Sequence, residues 1–72
     1  MVEETALGMA QRHVRESTVR ITRQRVLIER LRSFQWNVEE AENTLRQFEE
    51  LHVLYRKHLQ ELMQRVVLTP RR

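Results

Sequence analysis

Residues that form turns or cross-links are scarce in this chain, which has one glycine, one proline and no cysteine among its 72 residues. A β-rich fold needs many turns, so this composition disfavours sheets. The absence of cysteine excludes disulfides and cysteine-based metal sites, and it suits a reducing, intracellular setting. A chain this short buries too little surface for a generous core, and scaffolds of its size usually rely on disulfides, metals or oligomerisation. We predict a single helical domain, residues 1–72.

Long apolar segments are also missing, because the longest runs, such as residues 66–68, contain three residues. A membrane-spanning helix needs about 20 apolar residues, so no transmembrane segment is expected. The N-terminus carries Glu3 and Glu4 and lacks the basic and then apolar pattern of a secretory signal. We therefore predict a cytoplasmic protein without a membrane partner.

Residues that support catalysis are few. The chain has no aspartate, two serines and no glycine-rich loop, and no nucleophile stands beside a base in the sequence. Glu49 and His52 have the i,i+3 spacing of di-iron four-helix bundles. The layers that face His52 hold Ile21 and Gln24, and neither supplies the further carboxylate that such a site requires. We predict no enzymatic activity, no cofactor and no metal site.

The chain does contain a helical repeat in two segments. The seam of the first segment advances by three and four residues: Leu7, Ala10, Val14, Ser17, Ile21, Gln24, Ile28 and Leu31. The seam of the second segment advances in the same way: Val38, Ala41, Leu45, Phe48, His52, Tyr55, Leu59, Leu62 and Val66. A seam sustained over about four heptads is typical of coiled-coil-like packing.

A turn is predicted at residues 34–37, between the two segments. Asn37 is a favourable N-cap, and Glu40 follows three positions later, as in a capping box. Pro70 cannot continue a helix, so we expect the second helix at about residues 38–68 and a basic tail at 69–72. The first helix is expected at about residues 6–33. One continuous helix of about 60 residues is the alternative, which the Asn37 cap disfavours.

A linker this short makes the helices antiparallel neighbours, so the predicted fold is an all-α, two-helix antiparallel hairpin. Aligning the seams around the turn places Gln24 opposite Phe48 and His52. Buried polar residues can fix helix register, so Gln24, His52 and Tyr55 are predicted to form a polar core layer; a partly exposed His52 is the alternative. The same alignment places Ser17 opposite Leu59.

Several apolar residues lie outside the seams. Leu27, Leu51 and Leu54 flank them on one side, with His58 near the same edge. An apolar strip this wide is typical of helices that meet more than one neighbour. Self-association into a four-helix bundle covers it economically, so we predict a homodimer or a complex with another protein. A marginally stable monomer with an exposed apolar edge is the alternative.

The first helix is rich in arginine, although the net charge of the chain is +3. Arg12, Arg23 and Arg30 project within about 20° of one another and form a basic stripe. Such a stripe suits a phosphate backbone. A solvated face, or a match to the acidic second helix of another molecule, is the simpler explanation. We predict a small interaction or regulatory protein without catalysis; a nucleic-acid-binding hairpin dimer is the alternative.

Two stretches of the chain carry a family resemblance. Residues 23–31 read R-Q-R-V-L-I-E-R-L; Ala41, Glu42 and Leu45 follow the turn, and His52 and His58 lie in the second helix. Over about residues 13–62 the chain resembles a group of short alphaproteobacterial helical-hairpin proteins. It departs from them at the turn, where they usually carry glycine or aspartate. No activity is established for that group, so the resemblance implies a bacterial helical hairpin and no site.

Overall fold

In the computed structural model two α-helices follow each other along the chain: α1 spans Ala6–Ser33 and α2 spans Glu39–Leu68. The structure describes residues 4–68, with the side chains of residues 4–66; the predicted basic tail, 69–72, lies outside them. Within the described part the chain is all-helical. The helices pack against each other across a turn at residues 34–38, which confirms the two-helix hairpin and excludes one continuous helix.

α1 begins at a side-chain cap. Oγ1 of Thr5 accepts a hydrogen bond from the Gly8 amide over 2.9 Å, and the Thr5 carbonyl accepts one from the Met9 amide. The hydroxyl satisfies one of the amide groups that the first turn of a helix leaves without a backbone partner. Thr5 therefore sets the start of α1.

α1 ends in a Schellman motif. The Trp36 amide donates to the Leu31 carbonyl and the Gln35 amide donates to the Arg32 carbonyl, each over 2.9 Å. The motif needs a left-handed residue just beyond the helix cap, and Gln35 supplies it with a φ of 59°. Glycine ordinarily fills that position, because a left-handed conformation costs a residue with a Cβ about 1–2 kcal/mol. The chain thus reverses direction with local backbone strain at Gln35.

A second cap starts α2. Oδ1 of Asn37 accepts a hydrogen bond from the Glu39 amide over 2.8 Å, and the Val38 carbonyl accepts the first helical bond, from the Glu42 amide. Glu39, Glu40 and Glu42 lie in the first turn, at the positive end of the helix dipole. Asn37 caps α2 as predicted, and the helix begins one residue later than expected.

The core between the two helices is thin. Four described side chains are buried, and all four belong to the predicted seam of α1: Ala10, Ser17, Ile21 and Ile28. The facing seam of α2 is half-buried from Ala41 to Leu62. A single neighbouring helix leaves both flanks of each seam open to water. One hairpin by itself therefore buries little apolar surface.

The register of the hairpin differs from the predicted alignment. Ser17 is hydrogen-bonded to His52, one heptad nearer the turn than Leu59, and the Gln24 side chain bonds the carbonyl of Ala41, one heptad nearer the turn than Phe48. Seams with a heptad repeat present similar apolar patterns after a shift of one heptad, so periodicity alone does not select between such registers. The polar hydrogen bonds and the geometry of the turn select the one observed.

Candidate interaction surface

One side of the hairpin, the charged side, carries two ion pairs that join the helices. Arg25 pairs with Glu49 at 3.3 Å, and Arg32 pairs with Glu42 at 3.2 Å. All four side chains are well exposed, so each pair contributes at most about 1 kcal/mol. Arg25 and Arg32 thus each have a carboxylate partner on the other helix.

The opposite side of the hairpin carries exposed apolar residues among charged ones such as Arg20 and Glu61. Leu27 stands two residues after Arg25, and Leu51 stands two residues after Glu49, so each lies about 200° around its helix from the charged side. Leu54 and His58 share the side of Leu51, because they follow it by three and seven residues. We call these four residues, Leu27, Leu51, Leu54 and His58, the apolar face. All of them are exposed, and the three leucines range from 37% for Leu51 to 61% for Leu54.

Ser17 and His52 form the closest polar contact between the helices. The Ser17 hydroxyl lies 2.9 Å from the Val14 carbonyl and 2.6 Å from Nδ1 of His52. When it donates its single hydrogen to Val14, it accepts from the His52 tautomer that is protonated on Nδ1. A catalytic serine needs the reverse polarity, with histidine accepting the serine proton. Ser17 is also buried. The pair is therefore arranged as a structural contact between α1 and α2.

The other two residues of the predicted polar layer are half-buried between the helices but have separate partners. Nε2 of Gln24 donates to the Ala41 carbonyl over 2.9 Å. The ring of Tyr55 lies beside that of His13, with centroids 5.0 Å apart. Gln24, His52 and Tyr55 thus anchor three successive contacts along the interface instead of one layer, because of the register described above.

The basic stripe of α1 is interrupted at its first member. The guanidinium of Arg12 contacts the Glu4 carboxylate at 2.9 Å and the Glu16 carboxylate at 2.7 Å. The hydrogen bonds from Arg12 lower the pKa of Glu4 below its ordinary value, and these two carboxylates raise the pKa of Arg12. Arg23 and Arg30 are exposed and form no ion pair with any residue in the described part of the chain.

Glu49 and His52, the pair with di-iron spacing, each contact another protein side chain. Glu49 is paired with Arg25, and Nδ1 of His52 is bonded to Ser17. Over residues 4–68, no three side chains of the usual ligand types come together around one point. Neither helix, as far as it is described, has a stretch apolar enough to cross a bilayer.

Two side-chain contacts were not predicted from the sequence. Phe34 and Trp36 stack on each other at the turn, with ring centroids 5.2 Å apart, and both remain exposed. Ser17 was placed in the seam but not paired with His52. A small polar residue in one seam and a histidine in the other is the signal that points to such a bond.

Comparison with known proteins identifies no relative of this chain. No protein-family model, curated protein or solved structure matches the chain. The resemblance to short bacterial hairpins therefore stays a prediction, and the function is argued from the surface itself.

Proposed function

We propose that this hairpin is a small, non-enzymatic interaction protein whose apolar face docks onto a second hairpin to complete a four-helix bundle. The observation that carries the proposal is the position of Leu27, Leu51 and Leu54, which are exposed on the side opposite the Arg25–Glu49 and Arg32–Glu42 ion pairs. Two more helices on this side would widen the buried stripe of each helix to the width typical of bundles.

The size of the exposed surface supports an interface. The chain exposes 6552 Å², whereas a compact monomeric protein of 8.8 kDa exposes about 4,800 Å². The difference exceeds the roughly 800 Å² that each partner buries in an interface of standard size. An assembly of this kind would supply the apolar burial that a 72-residue chain lacks on its own.

Leu54→Glu should convert the dimer into a monomer, because a carboxylate in an apolar interface loses its hydration without gaining a partner. Leu54 is 61% exposed in the hairpin, so the substitution leaves the core between α1 and α2 intact. Light scattering at about 100 μM, where a micromolar dimer is formed, measures the mass. We expect twice 8.8 kDa for the unchanged chain and 8.8 kDa for the variant.

Val53→Glu is the matched control for this experiment. Val53 is the neighbouring residue and is equally exposed, at 63%. It follows Glu49 by one helical turn and so lies on the charged side. We expect this variant to stay dimeric. An unchanged chain that is monomeric, or two variants that dissociate equally, would contradict docking through the apolar face.

Nucleic-acid binding is the second candidate, and the two exposed arginines without an ion pair, Arg23 and Arg30, favour it. They lie seven residues apart on one side of α1, about 10 Å apart along its axis. Titration with random RNA and DNA at about 50 mM salt tests it, because phosphate binding weakens steeply as salt rises. The double variant Arg23→Ala/Arg30→Ala should bind more weakly than Arg46→Ala/Arg56→Ala, which removes equal charge from α2. Absence of binding at this salt rejects the candidate.

A further inference from the structure

Charge is distributed unevenly between the two helices near the turn. Residues 20–33 of α1 carry five arginines and one glutamate, whereas residues 39–50 of α2 carry five glutamates and one arginine. Within one hairpin, Arg25 and Arg32 use two of those glutamates, and both ion pairs lie on the charged side. Arg23 and Glu50 are exposed and have no ion pair with a described residue. Charges of opposite sign therefore stand on the outer rims of α1 and α2.

Two copies can join their apolar faces in two symmetric ways. With the two turns at opposite ends, α1 packs beside α1 of the second copy, and one arginine-rich helix lies along another. With the turns at the same end, α1 packs beside the second copy's α2. The arginine-rich segment then lies level with the glutamate-rich segment, twice in each dimer. Opposed charges favour association and like charges disfavour it, so the charge pattern selects the second arrangement.

We propose that the occupant of the apolar face is a second copy of this chain, bound with its turn at the same end. Each α1 then packs against the α2 of the other copy. This proposal rests on the proposed function, because it takes the apolar face as the interface. One further hairpin is enough to cover the excess exposed area described above. The charge pattern favours a second copy of this chain as that hairpin.

The levels along the hairpin identify the residues that meet. Within one chain Arg32 is level with Glu42, and Ser17 is level with His52. A two-fold axis parallel to the helices repeats these levels across the interface. The first pair places Arg23 level with residue 51 of the second copy and the second pair with residue 46, so Glu50 falls within this span. Both residues lie on the rim, where charged residues belong in a protein interface.

A single spin label distinguishes the two arrangements. The chain has no cysteine, so Ser33→Cys, an exposed position at the end of α1, gives one labelling site. With the turns at the same end, the two labels lie at the same end of the bundle, one on each copy, and within about 30 Å of each other. With the turns at opposite ends, they are separated by the length of the 28-residue α1, about 42 Å. Pulsed electron paramagnetic resonance measures the distance between the two spin labels in the dimer. We expect the shorter distance, and the longer one overturns the proposal.

A crossed label and the solution mass complete this experiment. Mixing Ser33→Cys with Gln11→Cys, an exposed position in the first third of α1, should give a long distance between unlike labels; a short one again indicates opposite ends. A labelled chain that light scattering shows to be a monomer at about 100 μM rejects the proposed function along with this proposal. A dimer with a long distance between Ser33 labels rejects this proposal alone.

Charge exchange tests the contact itself. Arg23→Glu and Glu50→Arg should each weaken the dimer about tenfold. Either substitution removes the ion pair between these residues twice per dimer and leaves like charges opposed. The double variant should return to within about threefold of the unchanged chain. In the opposite-ends arrangement Arg23 and Glu50 do not meet, so the two effects would multiply. Multiplication of the two effects contradicts the intermolecular contact.

Discussion

Among the described residues of the core, Ser17 is the buried polar side chain. Its two hydrogen bonds help to fix the register of α1 against α2, which apolar contacts do not fix. The bond to Val14 orients the hydroxyl, and the oriented oxygen then accepts from His52. An apolar side chain could fill the same space against α2 in more than one register. The hydrogen bond makes one register better than its neighbours, which is the best-attested use of a polar group inside packed helices.

Ser17→Ala should lower the free energy of unfolding by about 1–2 kcal/mol, because His52 is left half-buried without its acceptor. Urea unfolding at a fixed protein concentration measures the change. Ser33→Ala is the matched control: its hydroxyl donates to the Arg30 carbonyl in the same manner, but it is exposed and has no partner on α2. The control should change stability by less than about 0.5 kcal/mol. Equal losses would show that the bond across the interface contributes nothing.

At the scale of the element, the turn between α1 and α2 combines good capping with one unfavourable residue. Asn37 caps α2, and the Schellman bonds close α1. Gln35, however, holds a left-handed φ that glycine adopts without a steric penalty. The turn is thus specified by its hydrogen bonds in spite of local strain.

Gln35→Gly should stabilise the hairpin by about 0.5–1 kcal/mol, since relief of the strain outweighs the added freedom of the unfolded chain. The melting temperature should rise by a few degrees, at roughly 4–8 °C per kcal/mol for a domain of this size. Gln47→Gly, at an exposed position within α2, should have the opposite sign and cost about 1 kcal/mol. A fall in melting temperature for Gln35→Gly would show that the turn is not strained in solution.

The start of α2 could be predicted because caps act locally. Asn37 bonds an amide two residues away, so a short stretch of sequence contains the whole signal. The Thr5 cap of α1 is equally local but was not predicted. The register could not be predicted, since it depends on the bond between Ser17 and His52, which lie 35 residues apart. The two partners of Arg12, Glu4 and Glu16, could not be predicted either, because a long, flexible side chain can reach several carboxylates.

At the scale of the whole molecule, the apolar face followed from helical periodicity alone, because residues spaced by three, four and seven share a side. The charged side did not, since Arg25 and Arg32 had to be matched to Glu49 and Glu42 across the turn. The contrast between the two sides appears only when both helices are in place. The proposed docking uses this contrast, because it takes the apolar face, and not the side with the Arg25 and Arg32 ion pairs, as the interface.

Stability should therefore depend on protein concentration. Binding between folded chains stabilises the folded state by mass action, and a tenfold increase in concentration adds about 1.4 kcal/mol per dimer. The melting temperature of the unchanged chain should rise by several degrees over a hundredfold range of concentration. The Leu54→Glu variant should show no such rise. A concentration-independent melting temperature for the unchanged chain would indicate that hairpins unfold as monomers.

The contacts between the helices also form a series ordered along the chain. Arg32 and Glu42 lie 10 residues apart, Gln24 and Ala41 17, Arg25 and Glu49 24, and Ser17 and His52 35. The entropy lost on closing a loop grows with its length, and each contact shortens the loop that the next one must close. The hairpin should therefore fold from the turn outward and rapidly, as expected for a topology dominated by local contacts. Changes at Gln35 would then alter mainly the rate of folding, and changes at Ser17 mainly the rate of unfolding.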